Sequence, residues 1–126
     1  TGMSFNVVDA TANTSGMASA VCRDYGSPAY GLDTHFYSSS PDECAAVHRQ
    51  WPLEWILESS NVFQVYMPDP STGVCPAGTL PVYRTWNQQN TNHRYTMDAR
   101  VQNGMMGRGS IAEGYGNPPV AMCSPH

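Results

Sequence analysis

Apolar and polar positions alternate in short runs, and clusters of glycine, proline, serine and asparagine separate the runs. That is the pattern of half-buried strands joined by turns. Ala20-Val21-Cys22-Arg23-Asp24-Tyr25 and Pro81-Val82-Tyr83-Arg84-Thr85-Trp86 predict two such strands, and His35-Phe36-Tyr37 and His93-Arg94-Tyr95 predict a second strand after each. Ser40-Pro41-Asp42-Glu43 is a helix start: a capping hydroxyl, a proline at the first helical position and a glutamate placed to reach back to the cap. The helix runs through Cys44-Ala45-Ala46-Val47-His48-Arg49 and stops before Trp51-Pro52, because a residue before proline is pushed out of helical geometry. In the second half Asp98 takes the cap, and Gly104 or Gly107 weakens or ends the helix. Trp55 to Tyr66 predicts two strands broken at Ser59-Ser60-Asn61, and Ile111 to Met122 two more broken at Gly114-Tyr115-Gly116-Asn117-Pro118.

The two halves can be laid on one another. Val21-Cys22-Arg23, His35-Phe36-Tyr37, Glu58 and Val65-Tyr66-Met67 match Val82-Tyr83-Arg84, His93-Arg94-Tyr95, Glu113 and Val120-Ala121-Met122 in the same order. The offset between them drifts from 61 to 55, changing where turn residues cluster. The pattern predicts an α+β fold of two tandem β-β-α-β-β repeats, packed as a pseudo-twofold single domain. Residues 1–19 read as a lead-in segment or linker, 20–70 as repeat 1 and 79–126 as repeat 2. Each unit is too small to bury a core alone and needs its copy.

Val82-Tyr83-Arg84-Thr85-Trp86-Asn87, Asn92-His93-Arg94-Tyr95-Thr96 and Ala112-Glu113-Gly114-Tyr115 resemble a tandem-repeat domain of unknown function. Its pattern runs VYR, two aromatics and Asn, then HFYT, then YEG. The resemblance covers about residues 20–125 in two copies. It implies a module of secreted or surface proteins of bacteria and some fungi, often joined to extracellular hydrolases or cell-wall proteins, and it implies no particular activity. Arg94 departs from the pattern where Phe36 keeps it, and Ser59 follows Glu58 where the pattern has glycine.

Composition narrows the partners. The formal charge is −4, and all six basic residues are arginines, scattered along the chain. No basic stripe exists to neutralise phosphates, so nucleic acid is excluded as an expected partner, and no polybasic patch favours anionic lipid. No apolar run approaches the roughly 20 residues of a membrane span. Cys22, Cys44, Cys75 and Cys123 form an even set without a C-x-x-C pair, which points to disulfides in an oxidising compartment rather than to zinc. Three connectivities exist, and the repeat favours Cys22–Cys44 with Cys75–Cys123.

Candidate chemistry follows from the duplicated residues. Arg23, His35 and Tyr37 in the first half, with Arg84, His93 and Tyr95 in the second, form either a polar network inside the fold or a pair of equivalent ligand sites. Tyr30 and Trp51, flanked by proline or glycine, are exposed aromatic candidates, and Trp86, Asp33 and Asn92 complete a surface suited to a sugar. Trp55 and Trp86, both inside strands, read either as sugar-covering faces or as core. No nucleophile elbow, zinc-protease motif or phosphate-binding loop is present. Glu58 and Glu113 are the carboxylates a small hydrolase would need, but a symmetric duplication gives them similar surroundings, whereas acid and nucleophile need different ones. The expectation is a secreted, cell-surface or periplasmic, non-catalytic binding or anchoring module without cofactor or metal. Its partner is a glycan or other extracellular polymer, and it is part of a larger multidomain chain. A purely structural or protein-interaction module is the first alternative, and a small secreted hydrolase the second.

Overall fold

The computed structural model describes residues 5–12, 18–32, 34–88 and 92–125. Its elements are β1 (Ser19–Gly26), β2 (His35–Ser38), α1 (Pro41–Gln50), β3 (Trp55–Val65), β4 (Thr79–Trp86), β5 (His93–Thr96), α2 (Ala99–Gly107), β6 (Ile111–Glu113) and β7 (Met122–Pro125). A 3₁₀ turn covers Pro28–Tyr30. The first sheet has the order β2-β1-β3, and the second has β5-β4-β6 with β7 also paired to β4. All pairings are antiparallel.

The chain is therefore mostly β, and the expected pseudo-twofold pair of β-β-α-β-β units does not form. Three features overturn it. First, β3 is continuous through Ser59-Ser60-Asn61. Its register against β1 slips between Val21 and Arg23 and again between Arg23 and Asp24, so bulges absorb the turn-forming residues. Second, β6 and β7 pair with successive stretches of β4, Arg84–Trp86 and Thr79–Val82. The loop between them is held by a bridge from Tyr115 to Val120. Third, unlike surfaces meet. The free edge of β2 lies across the face of the second sheet that carries Arg84 and Tyr95, whereas a twofold would bring the same face of each sheet together.

A core cluster spans both sheets. Val21 and Val65 of the first sheet pack with Val82 and Met122 of the second, and Phe5, Phe63, Tyr37 and Tyr95 surround them. Val8 pairs with Gln64, so part of the N-terminal segment is held against β3. At the far end Tyr66 exchanges two backbone hydrogen bonds with Cys123 of β7, which joins the sheets. Gly73 and Gly116 have positive φ and sit back to back, and a Cβ on either would run into the backbone of the other's loop.

Cys22–Cys44 ties β1 to α1, and Cys75–Cys123 ties the segment before β4 to β7. Two disulfides are consistent with an oxidising compartment. Among the described residues no helix is long and apolar enough to cross a membrane.

Candidate functional site

Arg84 organises the centre of the molecule. In β4 it stands between Tyr95 of β5 and Glu113 of β6, and only 4% of it is exposed. A guanidinium buried this deeply is costly unless its donors are used. Nη1 and Nη2 donate to the two oxygens of Glu43 at 2.9 and 2.7 Å, and Nε donates to Glu113 at 2.8 Å. Nη1 also reaches the Tyr37 carbonyl at 3.2 Å, and the group lies 4.9 Å from the centre of the Phe36 ring. Burial opposes ionisation of Arg84 most strongly, but the Glu43 hydrogen bonds and the surrounding negative charge outweigh it and push the guanidinium up. For Glu43 burial is again the largest influence, and Arg84 with the Ser38 hydroxyl overcomes it, holding the carboxyl below the usual range. Glu113 is held low in the same way, against burial, by His93 and Arg84.

The sequence pattern assigns Glu43 to a capping box. The Ser40 hydroxyl does accept from the Glu43 N–H at 3.2 Å. The Glu43 carboxylate does not return to Ser40, however. The Ser38 hydroxyl accepts from the Ser40 N–H instead and donates to Glu43. The carboxylate is thereby left free to serve Arg84.

Above this network lies a groove of about 520 Å³. Tyr30 on the 3₁₀ turn, Trp51 just after α1, Trp55 opening β3, Phe36 of β2 and Trp86 closing β4 give it aromatic walls. Tyr30 is 51% exposed and Trp51 47%. The polar groups lining it are Glu43, Glu54, Glu113 and His93. The His93 ring packs edge-on against Phe36 and Trp55, with Nε2 3.3 Å from Glu113.

The residues singled out from sequence divide into three sets. Tyr30, Trp51, Trp86 and His93 come together around the groove. Arg84, Tyr95 and Tyr37 form the bonded layer beneath it. Arg23 and His35 lie elsewhere, on an exposed face of the first sheet. There Glu58 takes Arg23 Nε at 2.8 Å and His35 Nε2 at 3.0 Å. The same Arg, His and Glu types thus meet in each sheet, exposed in one and enclosed in the other. Asn92 is exposed outside the groove lining, its carbonyl accepting from the Asn87 N–H. Asp33 lies outside the described residues. Sequence reasoning missed Glu43, Glu54 and Phe36 as groove residues, and Trp55, which it leaves open between sugar face and core, lines the groove. The one available signal was that a buried arginine requires counter-charges.

A second titratable pair sits between β1 and α1. Asp24 is fully buried, and its Oδ1 lies 2.7 Å from His48 Nε2, although neither atom has a partner in hydrogen-bonding geometry. Burial pushes the Asp24 carboxyl up, and His48 opposes that. Among the described residues no cluster of three or more His, Cys, Asp or Glu is placed to hold a metal.

Residues 29–118 match the family described as a domain of unknown function, DUF5648. The chain belongs to that family. The match is one span running through both sheets, and neither the repeated motif nor a second copy is shown by it. No curated protein and no solved structure matches this DUF5648 chain. Its chemistry therefore has to be read from the groove itself.

Proposed function

We propose that this chain is a non-catalytic extracellular binding or anchoring module whose groove takes a glycan or another extracellular polymer, and that it is appended to a larger secreted protein. The observation that carries this is the groove of about 520 Å³ walled by Tyr30, Trp51, Trp55 and Trp86. Flat aromatic faces cover the C–H face of a sugar ring, and a few polar groups at the edge orient its hydroxyls.

The arrangement of carboxylates supports binding over hydrolysis. Glu58 and Glu113 belong to separate networks, on Arg23 and on Arg84. The carboxylates that do share a site, Glu43 and Glu113, are joined by one guanidinium and are both held below the usual range. A glycosidase needs one of its pair raised, to act as the acid.

A structural or protein-interaction module is the competing reading, favoured by the burial of Arg84. Glycan arrays and pull-downs on insoluble polysaccharides separate the two, using the wild type and Trp51→Ala. Trp51 is 47% exposed, so its truncation is expected to leave the melting temperature unchanged and to abolish retention on the polymer. No retained polymer and no array signal would remove the binding reading and leave the structural one.

A further inference from the structure

The carboxylates lining the groove outnumber any other ionisable group there, and this selects among sugars. Glu43, Glu54 and Glu113 place three carboxylates on its wall, and no arginine lines it. Arg84, which bonds to two of these carboxylates, is buried against Phe36 and already shared by Glu43 and Glu113. Among the described residues Glu54 takes part in no ion pair.

His93 supplies a second, independent observation. Its side chain is only 9% exposed, and Nε2 faces a Glu113 oxygen. The other ring nitrogen, Nδ1, points away from that carboxylate. Nδ1 is buried, and no group in the described structure donates to it. An unpartnered buried nitrogen on a groove-lining residue is a polar position that a ligand can satisfy.

We propose that the groove prefers a cationic sugar polymer, one built of 2-amino-2-deoxy units whose amines are free. This rests on the glycan reading above. An ammonium is a donor-only group with three N–H bonds to give. Carboxylates accept them, the faces of Trp51, Trp55 and Trp86 attract the charge, and the same indoles cover the ring's C–H face. An N-acetylated unit keeps one N–H and loses the charge. An acidic sugar meets three carboxylates on a chain of net charge −4.

The test is a calorimetric titration with hexamers of glucosamine, N-acetylglucosamine and glucose, in low salt and in about 0.5 M salt, where exposed charges are screened. The glucosamine hexamer is expected to bind at least about tenfold more tightly than the other two, with the advantage shrinking in high salt. Glu54→Gln is expected to weaken the amine sugar alone by about fivefold, with an unchanged melting temperature. Equal or tighter binding of the acetylated or neutral hexamer overturns the cationic preference and leaves the glycan reading standing. Tight glucosamine binding that neither salt nor Glu54→Gln alters also overturns it. If no hexamer binds, the cationic preference falls, while the glycan reading falls only if the arrays and pull-downs are blank as well.

Discussion

The Tyr95 hydroxyl serves both backbone groups of Tyr37, accepting from its N–H at 2.8 Å and donating to its C=O at 2.7 Å. A side chain of the second sheet thereby closes the free edge of β2, the sort of edge that otherwise invites pairing with another chain. Burial pushes the phenol well up, so the group stays a donor at any working pH. Tyr95→Phe keeps the ring packing and removes both bonds. The expected loss is about 1–3 kcal/mol, the cost of a buried donor left unmade, read as a lower urea midpoint with an unchanged slope.

Arg84→Met leaves Glu43 and Glu113 without their shared counter-charge. Breaking a buried pair costs about 3–5 kcal/mol, and the lower end applies because the Glu43 side chain is 37% exposed. Adding Glu43→Gln and Glu113→Gln to Arg84→Met is expected to restore part of the stability. Chemical denaturation of the single and combined variants measures the recovery, and strict additivity would show that the three groups are not coupled.

Acid titration separates two opposite contributions. Glu43 and Glu113 have lowered values in the folded chain. Their stabilisation is present above the unfolded value of about 4.3 and is lost as pH falls through the folded values beneath it. Asp24 is raised, so the sign reverses. Its ionised form costs stability at neutral pH, and stability returns as pH falls through the raised value towards the unfolded value of about 3.9. Urea midpoints followed against pH are expected to show a shallower acid loss in Glu43→Gln, and a steeper one in Asp24→Asn.

The disulfides close loops of different length, 22 and 48 positions. Chain entropy assigns about 3.4 kcal/mol to Cys22–Cys44 and about 4 kcal/mol to Cys75–Cys123. Replacing each pair with serine is expected to lower stability in that order, and full reduction is expected to unfold the domain at a temperature the oxidised chain withstands.

Local signals were legible in the sequence, and relations between distant surfaces were not. Ser40 and Asp98 cap the two helices because cap chemistry is set by three or four neighbouring residues. The flanking proline and glycine pointed to exposure of Trp51 and Tyr30 for the same reason. Ser59-Ser60-Asn61 looks like a turn, and only the pairing of β3 along β1 turns it into a bulge. His35 and His93 have the same local pattern. One is exposed and the other enclosed because the β2 edge, with Phe36, meets one sheet face and not its counterpart. Glu43 was hidden by a helix-start signature that accounted for it completely.

The groove draws Phe36, Trp51 and Trp55 from one sheet and its helix, and Trp86, His93 and Glu113 from the other. It exists only while the two sheets are docked. Whatever fills it clamps them, so occupancy and unfolding are linked by mass action. A ligand at a hundred times its dissociation constant would add about 2.7 kcal/mol to the folded state. The melting temperature of this chain is thus itself a detector, able to rank candidate polymers before any binding assay has been built.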